Sequence, residues 1–199
     1  MPDTGAPHFI PFADPTDLVR DWPALSEDVA NAVADGLDAA GGLVAVKSAL
    51  FTGTQTDSVT AGNNLTVNDL EITHALADAS NKLIISAFIG AAGHSLARAE
   101  VGIAVHDGTD LIAIGNADGS RTRVTAGGNV SGSSGNVVTM PSVTFVHTPN
   151  TTDSKTYTVR AINITTSTRT LFINRSQDNT NNQNIPRAVS SLVVQEVKV

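Results

Sequence analysis

From Leu43 onward the chain is a series of short apolar runs separated by clusters of Gly, Asn, Asp and Ser. Many of the runs alternate with period two. The last run does not, with Leu192 and Val194 facing one way and Val193 and Val197 the other, whereas Tyr157, Val159 and Ala161 share one side with Thr158 and Arg160 opposite. This is the pattern of half-buried β-strands. It predicts strands in "LVAVKSALF" (43–51), "NLTV" (64–67), "LEITHAL" (70–76), "KLIISAFIGAA" (82–92) and "RAEVGIAVHD" (98–107). Further strands are predicted in "DLIAIGNA" (110–117), "NVVTMPSVTFVHT" (136–148), "KTYTVRAINITT" (155–166), "TLFIN" (170–174) and "SSLVVQEVKV" (190–199). Asp107–Gly108 and Asp118–Gly119 read as turns, and the segments 126–136 and 175–187 as long polar loops. Eight to ten strands with no helical period between them predict an antiparallel β-sandwich of jelly-roll type over 43–199.

Residues 1–42 follow another period. After an extended, Pro-rich start, Asp14 and Pro15 form a helix-start signal, and Pro23 ends that first helix at Trp22. A second helix is predicted from Pro23 to Ala40, stopping at Gly41 and Gly42. Leu18, Trp22, Leu25, Val29, Ala32, Gly36 and Ala39 step by four and three, a coiled-coil seam. Leu25, Val29, Val33 and Leu37 make an equally good stripe for a broader surface. The small seam residues favour an amphipathic leader that needs a partner. Two segments are therefore expected: a leader at 1–42, extended and then helical in two short pieces, and a β-domain at 43–199.

Charge sharpens the division. The leader carries eight acids and one base, Arg20, whereas the remainder has eleven of each. The net charge of −7 thus belongs to the leader. The β-region is left electrically neutral and rich in hydroxyl and amide groups, with no basic footprint for nucleic acid. No apolar stretch approaches a membrane span, the first residues lack the basic and apolar regions of a secretory signal, and cysteine is absent.

Candidate chemistry is sparse. His8, His74, His94, His106 and His147 show no metal-ligand spacing, and "GNADGS" (115–120) lacks the ordered acids of a calcium loop. His106, Asp107 and Asp110 could form an acid–base group, but Asp107–Gly108 is better read as a hairpin turn. Asn-x-Ser/Thr triplets at Asn64, Asn129, Asn150, Asn163 and Asn174 are expected by chance in such a composition. Tyr157 is the one Tyr or Trp of the β-region and is better read as strand packing than as a sugar platform. No catalytic residue, metal or cofactor is assigned, and no enzymatic activity is expected.

The segment "PFADPTDLVRDWPALSEDVANAVADGL" resembles the N-terminal segment of tail-fibre and minor tail proteins of double-stranded DNA bacteriophages. The matching residues are Pro15, Asp17, Val19, Asp21, Trp22, Pro23, Ala24 and Leu25. The Thr/Ser/Asn-rich β-region, closing on "SSLVVQEV", is similar in style to C-terminal domains of phage virion proteins. The resemblance implies a virion structural protein assembled in the host cytoplasm: a short tail fibre anchored by its leader, its sandwich facing the host surface. Phe12, Leu18, Trp22, Leu25 and Val29 are the expected anchor residues on another virion protein. The expected partners are that protein, two further copies in a homotrimer, and host-surface glycan. Almost continuous apolarity in "LIISAFIGAA" and "DLIAIGNA" supports the trimer, because it asks for cover on both strand faces. A capsid decoration, head-fibre or cement protein is the alternative. A polysaccharide depolymerase or free lectin represents other classes.

Overall fold

The computed structural model describes residues 29–31, 42–95, 98–131, 135–181, 183, 185 and 187–199. The chain divides into two compact units, Met1–Gly42 and Leu43–Val199. In the first, Val29–Asn31 is helical with Val29 half-buried. The rest of the leader, including the Asp14–Pro15 start, both helix ends and most of the four-three seam, lies outside the described residues.

Among the described residues, the second unit has twelve strands. They are β1 (Leu43–Phe51), β2 (Gln55–Val59), β3 (Asn64–His74), β4 (Lys82–Phe88), β5 (Ala92–His94), β6 (Arg98–His106) and β7 (Leu111–Ile112), followed by β8 (Ala126–Ser131), β9 (Ser142–His147), β10 (Lys155–Asn163), β11 (Arg169–Ile173) and β12 (Ser190–Val197). A four-stranded sheet runs β1-β12-β4-β9, and a larger one runs β2-β11-β5-β6-β10-β3 with β7 and β8 added on β6. All pairings are antiparallel. Leu83, Ile85, Leu192 and Val194 from the first sheet meet Ile72, Val101, Ile103, Tyr157, Val159 and Leu171 from the second in one buried core. The protein is mainly β, an antiparallel sandwich.

Several expected boundaries move, each for a local reason. "NLTV" and "LEITHAL" are one strand, β3, interrupted by a bulge: Thr158 faces Glu71 but Arg160 faces Thr66, and Asp69 inside the bulge has φ 58°. The run 82–92 splits between sheets. β4 ends at Phe88, and the chain crosses to β5 in the other sheet at Ala92. Gly90 allows that crossing, since a Cβ there would lie 2.3 Å from the Val189 carbonyl oxygen. "DLIAIGNA" is not a strand with two faces: only Leu111–Ile112 pairs, and Ala113 turns the chain at φ 53°. It therefore asks for no second cover.

The 126–136 segment is not wholly a loop. Its first half is β8, paired with β6 from Ala126↔Ile103 to Ser131↔Arg98. Its two glycines gave no alternation to read. β2, "QTDSV", was likewise hidden by its polarity, with Gln55 and Val59 inward and three exposed residues between. These additions bring the strands to twelve, above the eight to ten expected.

Candidate interaction face and hydroxyl-lined cleft

In the four-stranded sheet every second residue faces away from the core, and the register aligns these residues in rows. Val46 sits opposite Gln195, which faces Ile84, which faces Val146. Leu50, Ser191, Phe88 and Ser142 form a second row, and Ser48, Val193, Ser86 and Thr144 the row between them. Val46, Leu50, Phe88 and Val146 are exposed at 52%, 62%, 38% and 62%, high values for such side chains. These three rows contain no charged residue. A depression of about 270 Å³ beside Phe88 is lined by Ser86, Ser142, Thr144 and Ser191. Within it the Ser86 and Thr144 hydroxyls bond each other at 2.9 Å. Lys82, opposite Val197, adds one charge at the end of this face, and the uncharged rows, half apolar and half hydroxyl or amide, are suited to contact with a similar surface.

A larger concavity, of about 580 Å³, lies where three connections converge. The β2–β3 turn supplies Ala61 and Gly62, the β7–β8 loop Ser120, Arg121, Thr122 and Val124, and the β10–β11 turn Ile164, Thr165 and Thr166. Val124 and Ile164 close over β6 because position 102 is Gly; a Cβ there would stand 2.4 Å from Val124 Cγ1 and 3.2 Å from Ile164 Cγ2. Asn163, fully buried, fixes the turns. Its Nδ2 donates to the Val59 carbonyl at 2.8 Å and the Ser167 carbonyl at 2.9 Å. Its Oδ1 accepts from Thr165 N at 3.0 Å and Thr165 Oγ1 at 2.8 Å. Its backbone N–H donates to Asn63 O and its carbonyl accepts from Gly62 N, both at 3.0 Å.

Two polar clusters are spent on structure. Glu196, 1% exposed, accepts from Ala77 N at 2.8 Å and Asn81 Nδ2 at 2.6 Å, and its other oxygen meets His74 Nε2 at 2.8 Å. This ties β12 to β3 and to the connection after it. Burial alone would raise the carboxyl's pKa, but the bonds from Asn81, Ala77 and His74 outweigh it and hold the group below the usual range.

The second cluster is the Asp107 hairpin. Asp107 Oδ1 accepts from Thr109 N at 3.0 Å and Asp110 N at 2.9 Å, and Oδ2 pairs with Lys155 Nζ at 2.5 Å. His106 Nδ1 accepts from Gly108 N at 3.1 Å, and Gly108 has φ 94°. Burial pushes the Asp107 carboxyl up, yet Lys155 and the two N–H groups pull it far below the ordinary value. The carboxylate thus closes the turn that the Asp-Gly pair predicts. Nearby Tyr157, 1% exposed, packs edge-on against His147 with centroids 5.9 Å apart. Burial, with Asp107 adding to it, pushes its phenol up to about 12. Tyr157 is core, not a platform.

Of the expected anchor residues, Phe12, Leu18, Trp22 and Leu25 lie outside the described residues, and Val29 is on the short helical piece. Among the described residues, no three His, Cys, Asp or Glu side chains converge on a metal-sized site, and no helix is long and apolar enough to cross a membrane. Two of the Asn-x-Ser/Thr positions are buried hubs. Asn174, like Asn163, is fully buried; its Nδ2 donates to the Phe51 and Gly53 carbonyls at 2.7 and 3.0 Å, and its Oδ1 accepts from Ser190 Oγ at 2.6 Å. The cleft escaped sequence reasoning because its residues come from three connections far apart in the chain.

No protein-family model matches the chain, and comparison with curated proteins finds no match. Among solved structures, one titled "Structure of infectious bursal disease virus Gx strain" superposes with a TM-score of 0.34 at 10% identity. The match covers 78% of this chain and 41% of that one, and is too loose to carry fold or function across.

Proposed function

We propose that the protein is a bacteriophage virion structural protein: a short tail fibre that assembles as a homotrimer, is anchored through residues 1–42 and exposes its sandwich for host-surface contact. The observation that carries the assembly half is the outer face of the four-stranded sheet, whose three central rows are uncharged and expose Val46, Leu50, Phe88 and Val146, with Lys82 at its end. Four strands about 4.8 Å apart, over some six residues of about 3.3 Å each, span roughly 400 Å². Six of the twelve positions in the three rows are apolar and the other six are Ser, Thr or Gln, the mixture of apolar and polar groups usual in an interface. Three copies turned so that this face of each lines a common three-fold axis would cover it, and its central rows bring no charge that must be stripped of water. The phage setting, the tail position and the three-fold symmetry rest on the resemblance of residues 11–40 to tail-fibre leaders.

Size-exclusion chromatography with light scattering on the full chain tests the assembly. The expected mass at micromolar concentration is about three times the chain's 20.5 kDa. Val46→Glu combined with Ile84→Glu, on either side of Gln195 in one row, should give monomers with an unchanged circular dichroism spectrum. A wild-type monomer, or a folded double variant that still forms trimers, defeats the reading of this face. Immunogold labelling of residues 1–42 on particles separates tail from capsid attachment.

A further inference from the structure

We propose that the cleft among the β2–β3 turn, the β7–β8 loop and the β10–β11 turn binds an acidic sugar unit, a pyranose ring bearing a carboxylate. Its volume of about 580 Å³ lies within the roughly 300–1,000 Å³ common for small-ligand sites. Its base is apolar, from Val124 and Ile164 with Ala61 at the side, and can receive the C–H face of a ring. Its rim is polar and unspent: the hydroxyls of Ser120, Thr122 and Thr166 make no hydrogen bond within the described residues. Thr165, by contrast, is held by Asn163 and orients the rim rather than offering its own hydroxyl.

Arg121 decides the charge of the ligand. Its guanidinium is 82% exposed and gives one N–H to Asp118 Oδ2 at 2.6 Å, which leaves further donors of the planar fork open. A carboxylate fits that fork with two parallel bonds. Arg123 is turned to the Gly115 carbonyl at 2.6 Å, so Arg121 is the cation that lines the cleft. No aromatic side chain lines it, which disfavours a nucleobase.

The β2–β3 and β10–β11 turns are held by the buried Asn163 and the Gly62–Asn163 backbone bond, and the β7–β8 loop by its own bonds from Gly115 N to Val124 O and from Arg121 N to Asp118 O, both at 3.2 Å, which preorganises the rim. The proposal deepens the host-contact half of the function above and rests on it. None of the lining residues belongs to the outer face of the four-stranded sheet, so assembly and binding can fail separately.

The test is calorimetric titration of the full chain with methyl glucuronide and, in parallel, with the neutral methyl glucoside. Saturation-transfer difference NMR reports which ring protons touch the protein. The expected result is a dissociation constant of about 1 mM for the glucuronide, and about five-fold weaker binding of the glucoside, the worth of one exposed ion pair. Arg121→Gln should reduce the glucuronide to the glucoside's affinity, and Thr166→Trp, which fills the cleft, should abolish both. Light scattering on each variant should give the wild-type mass, keeping a loss of binding distinct from a loss of assembly. Absence of glucuronide binding at 20-fold the expected constant, equal affinity for the two sugars, or indifference to both substitutions overturns the assignment.

Discussion

Glu196 shows how a single buried charge can hold the sandwich together. Three groups from β3 and the connection after it converge on its carboxylate, and each would be left without a partner if the side chain were removed. A charge-assisted hydrogen bond is worth about 1.5–3 kcal/mol, so the cluster is a sizeable part of the stability of such a domain. Its pKa is held below the unfolded value. The stabilisation is therefore complete above the unfolded carboxylate pKa and is lost as pH falls through the folded one. The melting temperature should fall steeply below about pH 4.5, the region of the unfolded glutamate pKa. Glu196→Gln should start lower at pH 7 and decline less steeply in acid. An identical acid slope in the two proteins would remove Glu196 from the explanation, leaving Asp107, whose carboxyl is also held low. Asn163 and Asn174 act at the same scale without charge, each using its whole amide to close two turns.

At the scale of elements, the decisive event is the crossing between β4 and β5. Ile89 and Ala91 are buried on either side of Gly90, and the β12 approach at Val189 passes so close that no side chain fits. The atoms in the way are the Val189 carbonyl oxygen and nitrogen and the Ala188 Cβ, none of which can turn aside as the far end of a long side chain would. Gly90→Ala should cost about 1–3 kcal/mol, the usual range for overpacking. It should appear as a lower urea midpoint with an unchanged spectrum. A midpoint equal to wild type would mean that β12 can move outward freely at Val189. The outer face also takes its form at this level: β1, β12, β4 and β9 are far apart in the chain, and only their register brings Val46, Ile84 and Val146 into one row.

For the whole molecule, the separation of leader and β-domain is the main organising feature. Among the described residues of the second unit, the buried core begins at Phe51 with Ala49 packed against it, and both sheets begin at or after Leu43. A variant lacking residues 1–42 should therefore fold and, if the sheet face supplies most of the interface, remain trimeric by light scattering. It should also be missing from purified particles. A truncated monomer would move trimerisation to the leader, and normal occupancy of particles by the truncated protein would end the anchoring proposal. Within the full chain, Trp22→Ala is expected to weaken incorporation most among Phe12, Leu18, Trp22, Leu25 and Val29, because a large aromatic anchor dominates interface energy.

The sequence by itself determined the class of fold and most strands, because period-two alternation is a local property of the chain. The inward set Tyr157, Val159 and Ala161 appears in that alternation, and β1 and β12 appear as the β-type runs "LVAVKSALF" and "SSLVVQEV". The Asp107 turn was legible for the same reason: its carboxylate bonds residues two and three positions away. Tertiary structure alone decided the rest. β8 and β2 are strands because β6 and β11 offer them a ladder, a cause that two glycines or three polar residues cannot announce. The 82–92 run divides between two sheets because of what lies against Gly90, nearly a hundred residues further along the chain. The Glu196 cluster and the Arg121 cleft join groups equally remote in sequence, and polar pairing over such distances leaves no periodic trace.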